Sequence, residues 1–131
     1  MKEVLEFLSA NAPFYIATIE GDMPRVRPFA FVMEYKGKLW FCTNNKKKVY
    51  RQLKANPYFE ISTTSPENRW IRLTGKAVFD SSTEVKARAL ESSTRLAKMY
   101  AVDDPIFEVF YIEEGEAVFN SMTGESKTIK L

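Results

Sequence analysis

A chain of 131 residues is long enough for one domain, expected over 1–131, and its 45% apolar and 14% aromatic content excludes disorder and favours β structure. With 19 basic and 17 acidic residues the net charge is only +2, so affinity for nucleic acid would have to come from a local patch. The chain has no histidine and one cysteine, Cys42, which rules out Ser-His-Asp and Cys-His nucleophile systems, a His/Cys zinc site and an internal disulfide.

Residues 2–10, KEVLEFLSA, put Val4, Phe7 and Leu8 on one face, predicting a short packing helix that stops before Pro13. No stretch resembles a signal peptide or approaches membrane-spanning length, so the expected setting is soluble and cytoplasmic, without a membrane partner. Phe14 to Glu20 reads as a strand and Gly21-Asp22 as a turn. Arg25 to Tyr35 alternates strictly, which predicts one long strand with Arg25, Arg27, Phe29, Phe31 and Met33 sharing a face. Pro28 has no ladder donor and marks an edge or a bulge. The two arginines beside it are either a solvated strand end or the cationic walls of an anion pocket.

Leu39 to Thr43 is the next strand, reached through the Lys36-Gly37 turn. Asn44-Asn45 supplies turn and capping chemistry, predicting a helix from about Asn45 or Lys46 that buries Val49 and Leu53 and ends at Asn56-Pro57. Lys46, Lys47 and Lys48 stand at its positive end, where each faces an electrostatic penalty of roughly 0.3–1 kcal/mol. An anion held by freed N–H groups, lysines and the Thr43 hydroxyl would remove that penalty. A lysine-rich turn facing water is the competing interpretation.

Tyr58 to Thr64 and Arg69 to Asp80 are further strands, and Gly75 inside the second marks a bulge or a close approach. Trp70 on that strand is a core or interface aromatic, or part of a site. Ser81 and Glu84 form a capping box that starts a helix through about Ala97, with Ala87, Leu90 and Ala97 available for burial and Ser92-Ser93 weakening its middle. Ile106 to Ile112 and Ala117 to Met122 read as strands flanking a solvated acidic turn, Glu113-Glu114-Gly115-Glu116, and Thr123-Gly124-Glu125 turns into Lys127–Leu131. The expected fold is mainly β (α+β), a six- to seven-stranded antiparallel barrel with peripheral helices.

This order of elements resembles the FMN-binding split-barrel family related to pyridoxamine 5′-phosphate oxidase. Pro24-Arg25-Val26-Arg27-Pro28 is similar to the family's P-x-x-R strand, and Phe41-Cys42-Thr43-Asn44 followed by Lys47-Lys48 and Leu53 is similar to its strand, threonine, basic pair and helix. The resemblance implies an FMN site drawn from Arg25, Arg27, Pro28, Phe29, Cys42, Thr43, Asn44, Lys47, Lys48 and Trp70. Within it Arg27, Thr43, Lys47 and Lys48 would take the phosphate, Pro28 and Phe29 would lie beside the ring, and Trp70 would come near the flavin from the long strand.

The family's vitamin-processing members look to a C-terminal Arg and His for substrate, and this chain has no His, so the resemblance implies FMN binding without pyridoxamine phosphate oxidase activity. It also implies a homodimer. The expected function is an FMN-dependent oxidoreductase on an unidentified small molecule, with reduction of a nitro or aromatic compound, as in short nitroimidazole-resistance relatives, as one option. A flavin-binding module without turnover is the alternative, and a single-strand nucleic-acid binder using Lys46 to Lys48, Arg51 and Lys54 ranks below both.

Overall fold

Two strands that follow one another in the chain lie at opposite ends of the main sheet path, and this shapes the molecule. In the computed structural model, which describes residues 1–131, the strands are β1 (Phe14–Glu20), β2 (Met23–Phe29), β3 (Met33–Tyr35), β4 (Lys38–Asn44), β5 (Tyr58–Thr64), β6 (Arg69–Phe79), β7 (Phe107–Ser121) and β8 (Ser126–Lys130). They form one antiparallel sheet in the order β2-β1-β5-β6-β7-β4-β3, with β8 added to β7. The end strands β2 and β3 are joined only by Ala30, Phe31 and Val32. Four Cα steps reach about 14 Å at most, so the sheet must curl until its two edges nearly meet. The result is an open, split barrel.

The predicted single strand over Arg25–Tyr35 is therefore two strands. Its alternation runs on across the gap because both sides of the crossing bury apolar groups. Phe29 packs against the barrel core, and Phe31 belongs to a separate cluster. Pro24 and Pro28 lie on β2, an edge strand, where a missing N–H does least harm and blocks further pairing.

The barrel interior is filled by Phe14, Ile16, Leu39, Phe41, Ile61, Ile71, Leu73, Phe110 and Phe119, closed at one end by α1 (Lys2–Ala10) through Val4, Phe7 and Leu8. A second cluster, with Met33, Trp40, Phe107 and Val109, is covered by Val85 and Ala89 of α3 (Thr83–Ser92) and Leu96 of α4 (Thr94–Met99). Burial on both faces makes β4 almost continuously apolar.

The helix expected through Ala97 breaks at Ser93, whose hydroxyl accepts from Leu96 N and caps a new helix. The first cap also lies one residue later than predicted. Ser82 accepts from Val85 N, while Ser81 bonds Glu108 instead. Val85 and Ala89 face inward with Leu90 packed at the margin of the same cluster, whereas Ala97, beyond the break on α4, is exposed.

No turn forms at Glu113–Glu116, because these residues lie inside the 15-residue β7. Thr74 pairs with Glu116 and Lys76 with Glu113, so Glu114 and Gly115 together face Gly75 in a β-bulge. Glu114 takes φ 55° and its carboxylate meets Lys76 Nζ at 3.0 Å. An acidic, glycine-containing stretch reads as a turn from sequence; here it is the extra residue that bends a long strand. Gly75 is required opposite it, since a Cβ there would lie 2.5 Å from Ile112 Cγ1 and 2.9 Å from the Glu113 carbonyl oxygen.

Candidate functional site

The helix α2 (Lys48–Ala55) follows β4 and sets one side of the site. It starts two to three residues later than predicted, because Asn44 does its turn work early: its Oδ1 accepts from Lys46 N at 3.1 Å and its carbonyl from Lys47 N at 3.2 Å. Lys47 becomes the N-cap and no side chain caps the helix, while Lys46, Lys47 and Lys48 are all exposed. Val49 and Leu53 pack into the barrel core as expected, and Gln52 is buried with them.

At the open rim, a cavity of about 380 Å³ lies between the end of β2, the crossing segment, the end of β4 and α4. Pro28, Phe29, Cys42, Thr43 and Lys47 line it, together with Arg95, Met99 and Tyr100. No carboxylate is among its lining residues. Neither Lys47 nor Arg95 forms an ion pair within the chain.

Thr43 supplies the most informative atom. Its residue is only 5% exposed, and its Oγ1 is buried without a hydrogen-bond partner. Leaving a buried hydroxyl unmatched costs about 1–3 kcal/mol, so this oxygen is poised for a partner that the chain does not supply. Beside it, burial pushes the Cys42 thiol up to about 12, against the opposing pull of the Lys47 and Arg95 charges. Cys42 is thus a protonated wall. Asn44 stands behind the cavity, donating from Nδ2 to the Tyr100 hydroxyl at 2.8 Å, and the Tyr100 ring stacks on Phe107 at 4.7 Å.

The remaining residues named from sequence lie elsewhere. Arg25 pairs with Glu20 at 2.9 Å on the exposed end of the β1–β2 hairpin. Arg27 points under α2, where Nη2 donates to Gln52 Oε1 at 2.5 Å and Nη1 to Thr18 Oγ1 at 2.7 Å and the Ile16 carbonyl at 3.2 Å. Burial lowers the Arg27 pKa, partly offset by the Glu20 charge. Lys48 lies outside the cavity lining, near enough to Glu20 to help the hydrogen bonds from Arg25 and Gln52 hold that carboxyl low. Trp70 sits in the β6 ladder between Thr64 and Asn120 and does not line the cavity.

Sequence reasoning missed Arg95, Met99 and Tyr100. The Ser92-Ser93 interruption marks where their helix begins, but no periodicity shows which strands that short helix covers. A second cavity, about 350 Å³ between β1, β5 and β6, is lined by Ala17, Ile19, Pro24, Tyr58, Glu60 and Gly75 among others and holds no cation. Two further cavities contain Arg69, one of them with Lys127, but each also holds carboxylates, Glu3, Glu6 and Glu67 in one and Glu125 in the other, so only the first combines cations with no carboxylate. With neither carboxylate nor imidazole in its lining, that first cavity is equipped to bind and position rather than to run acid–base catalysis near neutral pH.

An open antiparallel barrel with a cation-lined, carboxylate-free cavity at its rim defines the class: an α+β split barrel. The family model described as pyridoxamine 5′-phosphate oxidase matches residues 1–119, and the chain belongs to that family. A solved NimC/NimA family protein from Clostridium acetobutylicum is 50% identical over the whole chain and 92% of its own, with a TM-score of 0.96. General stress protein 26 from Bacillus anthracis shares the fold at 15% identity and a TM-score of 0.73, covering 99% of this chain and 98% of that one. A structure described as a heme binding protein from Mycobacterium smegmatis does so at 19% identity and 0.73, covering 94% of this chain and 55% of that one. No curated protein matches. No helix is long and apolar enough to cross a membrane.

Proposed function

We propose that this chain binds FMN at the rim cavity and serves as a flavin-dependent oxidoreductase on a small molecule. The observation that carries the reading is the buried, partnerless hydroxyl of Thr43, a residue in the wall of a cavity with Lys47 and no carboxylate. A phosphate monoester offers acceptor oxygens and negative charge that suit such a donor set. Family membership supports the same reading. Thr43 and Lys47 hold the phosphate, while Pro28 and Phe29 form an apolar floor for the ring. Arg27 braces α2 so that Lys47 is held beside Thr43. Bound there, FMN supplies hydride or electron transfer, for which the cavity walls contribute dryness and orientation.

Homodimer formation fits the outer face of the β1–β2 hairpin. Tyr15 (48% exposed), Ile19 (38%) and Val26 (67%) stand there in register with Pro28, Pro24 and Ala17. A contiguous apolar patch of this kind marks an interaction surface.

The test is the visible spectrum of the purified protein before and after adding FMN, with quenching of FMN fluorescence as the affinity readout. Saturable quenching is expected, and a colourless protein that leaves FMN fluorescence unchanged refutes the assignment. Steady-state oxidation of NADH or NADPH with an acceptor then separates an enzyme from a flavin-binding module without turnover.

A further inference from the structure

We propose that Arg95, on α4, is the second cation facing the anionic group held at Thr43 and Lys47. This rests on the FMN reading and specifies which residues meet its phosphate. A phosphate monoester carries about −1.5 to −2 at pH 7, and one lysine leaves roughly half of that uncompensated. The other cations named near this end of the barrel are bonded elsewhere or, like the exposed Lys46, lie outside the cavity lining. Arg25 is bound to Glu20, Arg27 donates to Gln52, Thr18 and Ile16, and Lys48 lies outside the cavity on the Glu20 side.

Arg95 is the only arginine lining the cavity. Its guanidinium makes no hydrogen bond or ion pair within the chain. It reaches the site from a different element than Lys47, so an anion bound between them bridges the start of α2 and α4. Lys47, Arg95 and Cys42 line the same cavity, and both charges act on the Cys42 thiol. The position of α4 is fixed independently of any ligand, by buried Leu96, by the Ser93 cap and by the Asn44 to Tyr100 hydrogen bond at its end. An arginine on that support presents a planar fork of donors to phosphate oxygens, where a lysine would present a point charge.

The experiment compares FMN and riboflavin, which lacks the phosphate, on wild type, R95Q and R95K by fluorescence titration. R95Q is expected to weaken FMN about tenfold, as for loss of a charged hydrogen bond at a partly exposed site, and riboflavin less than about twofold. R95K should recover part of the loss, and added salt should shrink the difference between wild type and R95Q. Wild type that binds FMN alongside an R95Q that binds it equally well overturns the role of Arg95 and leaves the flavin reading standing. Equal losses for FMN and riboflavin overturn it as well, since only packing would then be at stake. A wild type that binds neither ligand overturns both.

Discussion

Arg27 Nη2 donates to Gln52 Oε1 at 2.5 Å, and Thr18 Oγ1 donates to the same oxygen at 2.6 Å. One buried amide on α2 is thereby tied to both strands of the β1–β2 hairpin. The helix that presents Lys47 is positioned by a polar link as well as by Val49 and Leu53.

Removing Arg27 should register first in stability. Arg27→Met leaves the Ile16 carbonyl, Thr18 Oγ1 and Gln52 Oε1 short of a donor, at a cost of about 2–3 kcal/mol. Urea unfolding of R27M, Q52L and the double variant should show the double falling short of the sum by about 1 kcal/mol. Strict additivity would mean that the link does not hold the helix.

Thr43→Val is expected to separate binding from folding. The substitution replaces an unmatched buried hydroxyl with a methyl group, so the ligand-free protein should unfold at the same urea concentration or slightly higher. FMN affinity should fall about tenfold in parallel. A variant that loses stability while binding FMN normally would show that the hydroxyl has a partner inside the fold.

Gly75→Ala should cost about 2–3 kcal/mol in the same unfolding assay, because the new methyl meets Ile112 and the Glu113 carbonyl across the bulge. The denaturant slope should stay unchanged. A loss below about 0.5 kcal/mol would mean that the bulge relaxes freely.

Cys42 gives a pH prediction. Its folded thiol is raised from an ordinary 9.0 to about 12, so between those values the folded state holds a proton that the unfolded state releases. Stability is therefore lost as pH rises above about 9, with a slope of at most about 1.4 kcal/mol per pH unit from this group. Iodoacetamide at about pH 8 should leave Cys42 unmodified in native protein and alkylate it in urea. The variant C42A should show a flatter alkaline limb.

Where local pattern and global fold agree, the chain is readable from its letters. Phe14–Glu20 and Tyr58–Thr64 alternate cleanly and form strands with those limits, and α1 buries Val4, Phe7 and Leu8. Pro28 marks a true edge, and Gly75 a true bulge. The errors arose where distant partners decide the outcome. Alternation from Arg25 to Tyr35 cannot reveal that the chain changes barrel edges at Ala30–Val32, and Glu113–Glu116 looks like a turn until β6 is laid beside it. For the site, local motifs led to Pro28, Phe29, Cys42, Thr43 and Lys47, which share one cavity. That Arg27 faces Gln52, or that Arg95 reaches the same rim, depends on contacts across 25 and more residues.

The long strand β7 lies between β6 and β4 and also carries β8. Until it has been synthesised, the β3–β4 hairpin bearing Thr43 has no neighbour on its inner side. At translation speeds of about 5–20 residues per second, that hairpin waits on the order of ten seconds beside the ribosome. Through that interval an unpaired, apolar edge stands open to other chains. Nascent protein should therefore depend on chaperones more than its modest size implies, and aggregation during expression should ease when synthesis is fast relative to encounter.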